Sequence, residues 1–193
     1  MSDPMTSDPM TSDLTASDLT ASDPTTTDQT ASDTDSTAKP PVRIFLVVVD
    51  ESPELQLALR YACLRARKSG GKVALLYVIE PGEVQQWLAL ENLMREEQRS
   101  EAEQKLQKLA RDVNRLTGTL PALYVREGNR RDEVLALIEE EPSISILVLA
   151  AGNDPEGPGP LISYFTNRGL AKLRIPLTIV PGGLGVDALD AIT

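Results

Sequence analysis

From position 41 onward, short apolar runs alternate with amphipathic stretches, and that alternation predicts strands and helices in turn. IFLVVV at 44–49 is an unbroken, β-branched run between Arg43 and Asp50, the kind buried on both faces of a parallel sheet. Ser52, Pro53 and Glu54 then predict an N-cap, a first helical residue and a first-turn acid. Leu55, Leu59, Ala62, Cys63 and Ala66 follow at spacings of three and four, up to the stop at Gly70 and Gly71. VALLYVI at 73–79 is the second predicted strand, which makes 42–80 a βαβ unit. Residues 83–117 have helical periodicity, but REEQRSEAEQK at 95–105 contains only Ala102 as an apolar residue. That gap predicts two pieces, one around Trp87, Leu88, Leu93 and Met94 and one buried through Leu106, Leu109, Val113 and Leu116. A third strand is predicted at 120–125, a helix at 132–141 with Val134, Leu135 and Ile138 inward, and a fourth strand at 144–150. A helix at 161–172 and a fifth strand at 176–181 complete the pattern.

Five strands joined by helices imply an α/β fold: an open, doubly wound, five-stranded parallel sheet with helices on both faces. Ligands of such Rossmann-like sheets bind outside the carboxyl ends of the strands, where strand order reverses. Asp50 and Gly152 both fall at such ends.

Composition divides the 193 residues into unequal parts. Residues 1–38 hold eight Asp, seven Ser and ten Thr without a single Lys, Arg, Glu or aromatic residue, and SDPMT-like units recur every five positions. Such a segment has too little apolar surface to offset its ordering entropy, so 1–40 is expected to be a disordered acidic tail, solubilising or open to phosphorylation. The folded domain is expected at 41–182 and a short C-terminal tail at 183–193. The tail's eight Asp account for most of the net charge of −10, leaving −2 for the rest. A nearly neutral domain has no basic stripe for nucleic acid. No apolar run approaches the length of a membrane span and no signal-peptide pattern occurs, so the cytoplasm is the expected location.

The chain has no His and one cysteine, Cys63, which excludes disulfides within the chain, His-based metal sites and Ser-His-Asp or Cys-His catalysis. No catalytic residue and no metal ligand set is predicted. Cys63 lies on the apolar face of the first helix and is expected in the core. The most suggestive stretch is GNDPEGPGPLIS at 152–163, which follows the fourth strand where a phosphate-binding loop would stand.

VVVDESPE, ALLYVIEP, REGNRRDEVLALIEEE with ILVLAAG, and IPLTIVPG occur in an order and spacing that resemble the universal stress protein (UspA-like) family across residues 42–182. The resemblance implies a five-stranded fold of the adenine-nucleotide α-hydrolase type and a non-catalytic stress-response role. It also implies a homodimer paired through the last strand, at Leu177, Thr178, Ile179 and Val180, which a proline at Thr178 would break. Nucleotide-binding members use the acid ending the first strand for the ribose, a second-strand backbone for adenine, and a G-x2-G-x9-G-[ST] loop for phosphates. Those roles fall on Asp50, on Val78 and on a loop beginning at Gly152. Strict spacing then places the second glycine on Pro155 and the third on Phe165, so the loop departs from the pattern. Pro155, Pro158 and Pro160 remove three donors, and Asp154 and Glu156 add negative charge. A modified site would use Asn153, Gly157, Gly159 and Ser163, with ATP or AMP as ligand. The alternatives are an interaction module acting on an unidentified protein partner through 83–117 and the acidic tail, and a nucleotide hydrolase. The Ser-Gly-Gly-x-Asp-Ser loop of the hydrolases is absent after the first strand, where Asp50, Glu51, Ser52 and Pro53 stand instead.

Overall fold

The computed structural model describes residues 42–81, 88–153, 155 and 157–193, with residues 88–92 described in backbone only. Expectations for the first 40 residues, for Trp87 and for Asp154 and Glu156 lie outside the described residues.

Five strands, β1 (Ile44–Val49), β2 (Lys72–Ile79), β3 (Ala122–Glu127), β4 (Ile144–Ala151) and β5 (Leu177–Pro181), form one sheet in the order β3-β2-β1-β4-β5. Every pairing is parallel. The central β1 is buried along nearly its whole length, as its unbroken apolar run requires. Helices α1 (Leu55–Ser69) and α2 (Leu88–Thr117) cover one face with α5 (Val186–Ile192), around Val47, Val49, Leu59, Leu106 and Leu189. Helix α3 (Arg130–Glu140) and the helical segment from α4 (Pro160–Tyr164) cover the other, around Leu46, Val48, Val134, Ile138 and Phe165. All five inward positions expected on α1 are buried, and Gly70 closes it in the left-handed region at φ 65°.

Four expectations change. Helix α2 is continuous from Leu88 to Thr117, because its charged stretch contains good helix formers and no breaker. Arg99 pairs with Glu103 one turn on at 3.3 Å, and Arg95 and Arg99 reach Glu127 on β3 at 3.5 and 3.7 Å. Strand β3 begins two residues later than expected and ends on Arg126 and Glu127; Arg126 is held there by Glu140 at 2.5 Å, so these polar residues belong to the sheet. The segment from Pro160 is α-helical only to Tyr164, then forms a π turn (Phe165–Gly169) and a 3-10 turn (Leu170–Lys172). Gly169 is needed there, since a Cβ would lie 2.6 Å from the Tyr164 ring, and the widened turn drives Phe165 into the core. Finally, the expected tail at 183–193 contains α5, whose Leu189 is fully buried and whose Asp190 takes a two-point contact from Arg60 at 2.5 and 2.7 Å.

Candidate functional site

The chain leaves β1 toward β2 and β3, then returns across to β4 and β5, so strand order reverses between β1 and β4. A crevice must open there, because successive crossovers diverge to opposite faces of the sheet. It is a cavity of about 590 Å³, bounded by the turn from β1 into α1, the loop from β4 into α4, and the first residue of α3.

Asp50 directly follows β1 and lines the cavity. Its Oδ1 accepts from the Ser52 backbone N–H at 3.0 Å and from the Ser52 hydroxyl at 2.6 Å, while its carbonyl accepts from Lys105 Nζ at 3.1 Å. Ser52 therefore does not cap α1 with its side chain, contrary to expectation. The turn before α1 closes through Leu55 N–H to Ser52 O at 3.3 Å, Glu54 occupies the cap position without a side-chain bond, and the helix starts at Leu55. The Asp50 carboxylate two residues back accepts both the Ser52 N–H and its hydroxyl, folding 50–52 into a local turn that places Ser52 ahead of the helix rather than at its cap. Lys105, at the end of the polar stretch 95–105, also pairs with Glu51 and lies 5.6 Å from the Tyr77 ring centre. It ties α2 to the end of β1.

On the other side, Gly152, Gly157, Gly159 and Ser163 all line the cavity. The Gly152 N–H is directed to Pro158 O at 3.3 Å, and the Ser163 N–H to Gly159 O at 3.0 Å, so neither points at a ligand. Gly157 and Gly159 sit at φ 112° and 102°, which only glycine adopts without strain, and Pro160 opens α4. Phe165, where strict motif spacing places a glycine, is a fully buried core side chain.

Two expected site residues stand elsewhere. Val78 is buried among the residues facing α3 and α4 and is not part of the cavity wall. Asn153 packs against the turn after β5: a Cβ on Gly183 would lie 3.4 Å from its Nδ2. That turn comes so close that a Cβ on Gly182 would lie 2.4 Å from Ala151 O and 2.6 Å from Glu54 Cγ, so glycine there brings Glu54 and Asn153 beside it.

Sequence reasoning missed Arg130. It is the first residue of α3, whose cap is the Asn129 side chain accepting from the Arg131 N–H at 3.1 Å. The signal was available in EGNRRDE, where an Asn two residues past the strand caps a helix and places the next residue in its first turn at the sheet's carboxyl edge. Among the described residues Arg130 is the only basic residue on the wall, against Asp50, Glu51 and Glu54. Its Nη2 meets Glu80 Oε2 at 2.9 Å, while its buried Nε has no hydrogen-bond partner, a deficit that typically costs about 1–3 kcal/mol. Among the described residues no three acidic or sulfur ligands converge on a metal position.

The sequence profile of the universal stress protein family matches residues 41–181, most of the chain. The chain belongs to the universal stress protein family. Its fold is that of solved members. UspA from Lactobacillus plantarum is 18% identical, with 72% of this chain and 97% of that one aligned at a TM-score of 0.61. A universal stress protein from Archaeoglobus fulgidus is 17% identical, covering 72% and 93% at a TM-score of 0.53. An Archaeoglobus fulgidus structure in complex with dAMP is 16% identical, covering 72% and 97% at 0.50. At such identities the likeness is one of fold. No curated protein sequence matches the chain. The universal stress protein fold explains why the crevice lies where it does; its lining is this chain's own.

Proposed function

We propose that this universal stress protein is a non-catalytic, dimerising module of the stress response that holds an adenine nucleotide between β1 and β4. The observation that carries the proposal is the cavity of about 590 Å³, on which Asp50, Gly157, Gly159, Ser163 and Arg130 converge at the point where strand order reverses. Asp50 keeps one carboxylate oxygen, Oδ2, without a bond from the described residues, and a ribose hydroxyl is a suitable donor to it. The dAMP complex of the Archaeoglobus fulgidus relative makes an adenine mononucleotide the first ligand to test. Against catalysis, the chain contains no His to serve as a general base for the Ser52 hydroxyl, which instead donates to the Asp50 carboxylate.

Isothermal titration of the full chain with AMP and ATP, with and without magnesium, is the test. Saturable heat at millimolar nucleotide or below is expected, without release of phosphate or adenosine. Absence of heat with both would remove the nucleotide and leave the interaction module, which the exposure of Leu93 and Met94 on α2 favours. For the dimer, β5 pairs with β4 on one side only, and the N–H groups of Leu177 and Ile179 alternate away from β4 on the other.

A further inference from the structure

We propose that a second site adjoins the crevice: a shallow groove between the start of α3 and the π turn, which docks an acidic segment of a partner protein. It shares Pro160 and Ser163 with the crevice wall but does not rest on the nucleotide proposal.

The groove has a volume of about 270 Å³ and is bounded by Arg131, Ser163, Tyr164, Asn167 and Arg168. Its aromatic surface is held rigidly. The Tyr164 ring meets the fully buried Phe165 edge-on, with ring centres 5.2 Å apart. Gly169 lies so near that a Cβ there would stand 2.6 Å from the ring, and the Arg131 guanidinium lies 5.2 Å from its centre. These neighbours fix the ring, and the ring in turn orients the guanidinium. The π turn buries Phe165 and leaves Asn167 and Arg168 exposed beside it. Asn167 gives one Nδ2 hydrogen to Ser163 O at 2.7 Å, which steadies an amide whose Oδ1 and second hydrogen suit a peptide group.

Two observations make the groove a place for negative charge. Among the described residues neither the Arg131 nor the Arg168 side chain has an ion-pair or hydrogen-bond partner, and no acid stands on the described wall. By contrast Arg126, Arg130 and Arg174 each hold a carboxylate or a carbonyl. Arg131 also occupies the first turn of α3, where the helix dipole favours acids and disfavours a cation. A bound carboxylate reverses that conflict, since helix end and guanidinium then attract it together. The occupant follows from shape. A small anion needs donors that surround it, whereas this open groove carries its two cations on separate elements. An extended acidic segment can reach both while lying across Tyr164, and Arg and Tyr are the residue types that anchor protein interfaces.

The experiment is fluorescence anisotropy of a labelled peptide of alternating Asp and Gly, titrated with the full chain, beside its Asn–Gly counterpart and with inorganic phosphate as competitor. The double variant Arg131→Gln with Arg168→Gln is compared with a charge-matched control, Arg65→Gln with Arg111→Gln, which removes two exposed cations from α1 and α2; each is checked for a cooperative thermal melt. Wild type should bind the acidic peptide saturably and the neutral one at least tenfold more weakly. The groove variant should lose at least tenfold in affinity and the control roughly twofold or less. Equal losses in the two variants would overturn the site in favour of diffuse attraction. Phosphate displacing the peptide at concentrations comparable to the peptide's own would overturn the acidic segment as occupant and leave a small-anion site. Absence of saturable binding to the wild type would overturn the proposal outright.

Discussion

Cys63 is fully buried on α1, packed among residues of the sheet and of α2. Burial pushes its thiol up from 9.0 to about 12; the positive charge of Arg60 opposes this, and Asp112 adds to it. A thiol so placed is inert, and Ellman's reagent should leave it unmodified at pH 8 in the native protein while labelling it in urea. The pH dependence follows from the sign. The folded state holds this proton more tightly than the unfolded one, so the contribution is present in full below pH 9 and is lost as pH rises from 9 toward 12. Chemical denaturation across that range should show falling stability, and Cys63→Ala should flatten the decline while costing about 1 kcal/mol at neutral pH for the lost sulfur. The core role of Cys63 was legible in sequence, because its spacing from Leu59 and Ala66 marks an inward stripe. The behaviour of Ser52 was not. Ser-Pro-Glu is a sound N-cap signature, and what it cannot reveal is a carboxylate two residues upstream taking the hydroxyl.

Elements follow the same division. The first helix was clear from its apolar stripe and terminal glycines, whereas α5 was hidden because a seven-residue amphipathic stretch is marginal by itself. It persists because Leu189 enters the core beside α1 and Arg60 grips Asp190. Leu189→Ala should therefore destabilise the domain by about 2–5 kcal/mol in urea titrations, an effect no tail residue would have. Hydrogen exchange within 186–192 should quicken in Arg60→Ala. The hydrogen bond from Arg60 holds the Asp190 carboxyl below its usual 3.8, so this clamp is present above that value and is lost as pH falls through the depressed one. Exchange of α5 in wild type should accordingly approach that of the variant in strong acid. The continuity of α2 has the converse lesson: a polar interval in a periodic segment marks a solvent-facing length of helix when it contains neither Gly nor Pro, and breaks only where a residue breaks it.

For the whole molecule, the five-stranded parallel sheet with helices on both faces was expected from the alternation of apolar runs and amphipathic stretches, since parallel neighbours require crossovers. Register corrects one detail of the expected dimer. Leu147 N–H donates to Pro176 O at 2.9 Å, and alternation along β5 then turns the N–H of Thr178 toward β4. A proline at Thr178 would damage the sheet itself. Ile179→Pro removes an outward donor instead, and should yield a folded monomer on sedimentation where the wild type sediments as a dimer. A dimeric Ile179→Pro protein would show that pairing uses another surface.

The sequence by itself determined the five strands, the crossovers between them, the inward face of α1 and the end of the sheet where a ligand would enter. These are consequences of local periodicity and of the crossovers that parallel strands demand. Tertiary structure alone decided the composition of the cavity wall. Asp50, Gly157, Gly159 and Ser163 stayed on it, Val78 and Asn153 were drawn into the core and the β5 turn, and Arg130, 80 residues along the chain from Asp50, joined it. Side-chain direction at a strand end and the partners that compete for each donor depend on neighbours distant in sequence, and only packing brings those neighbours together.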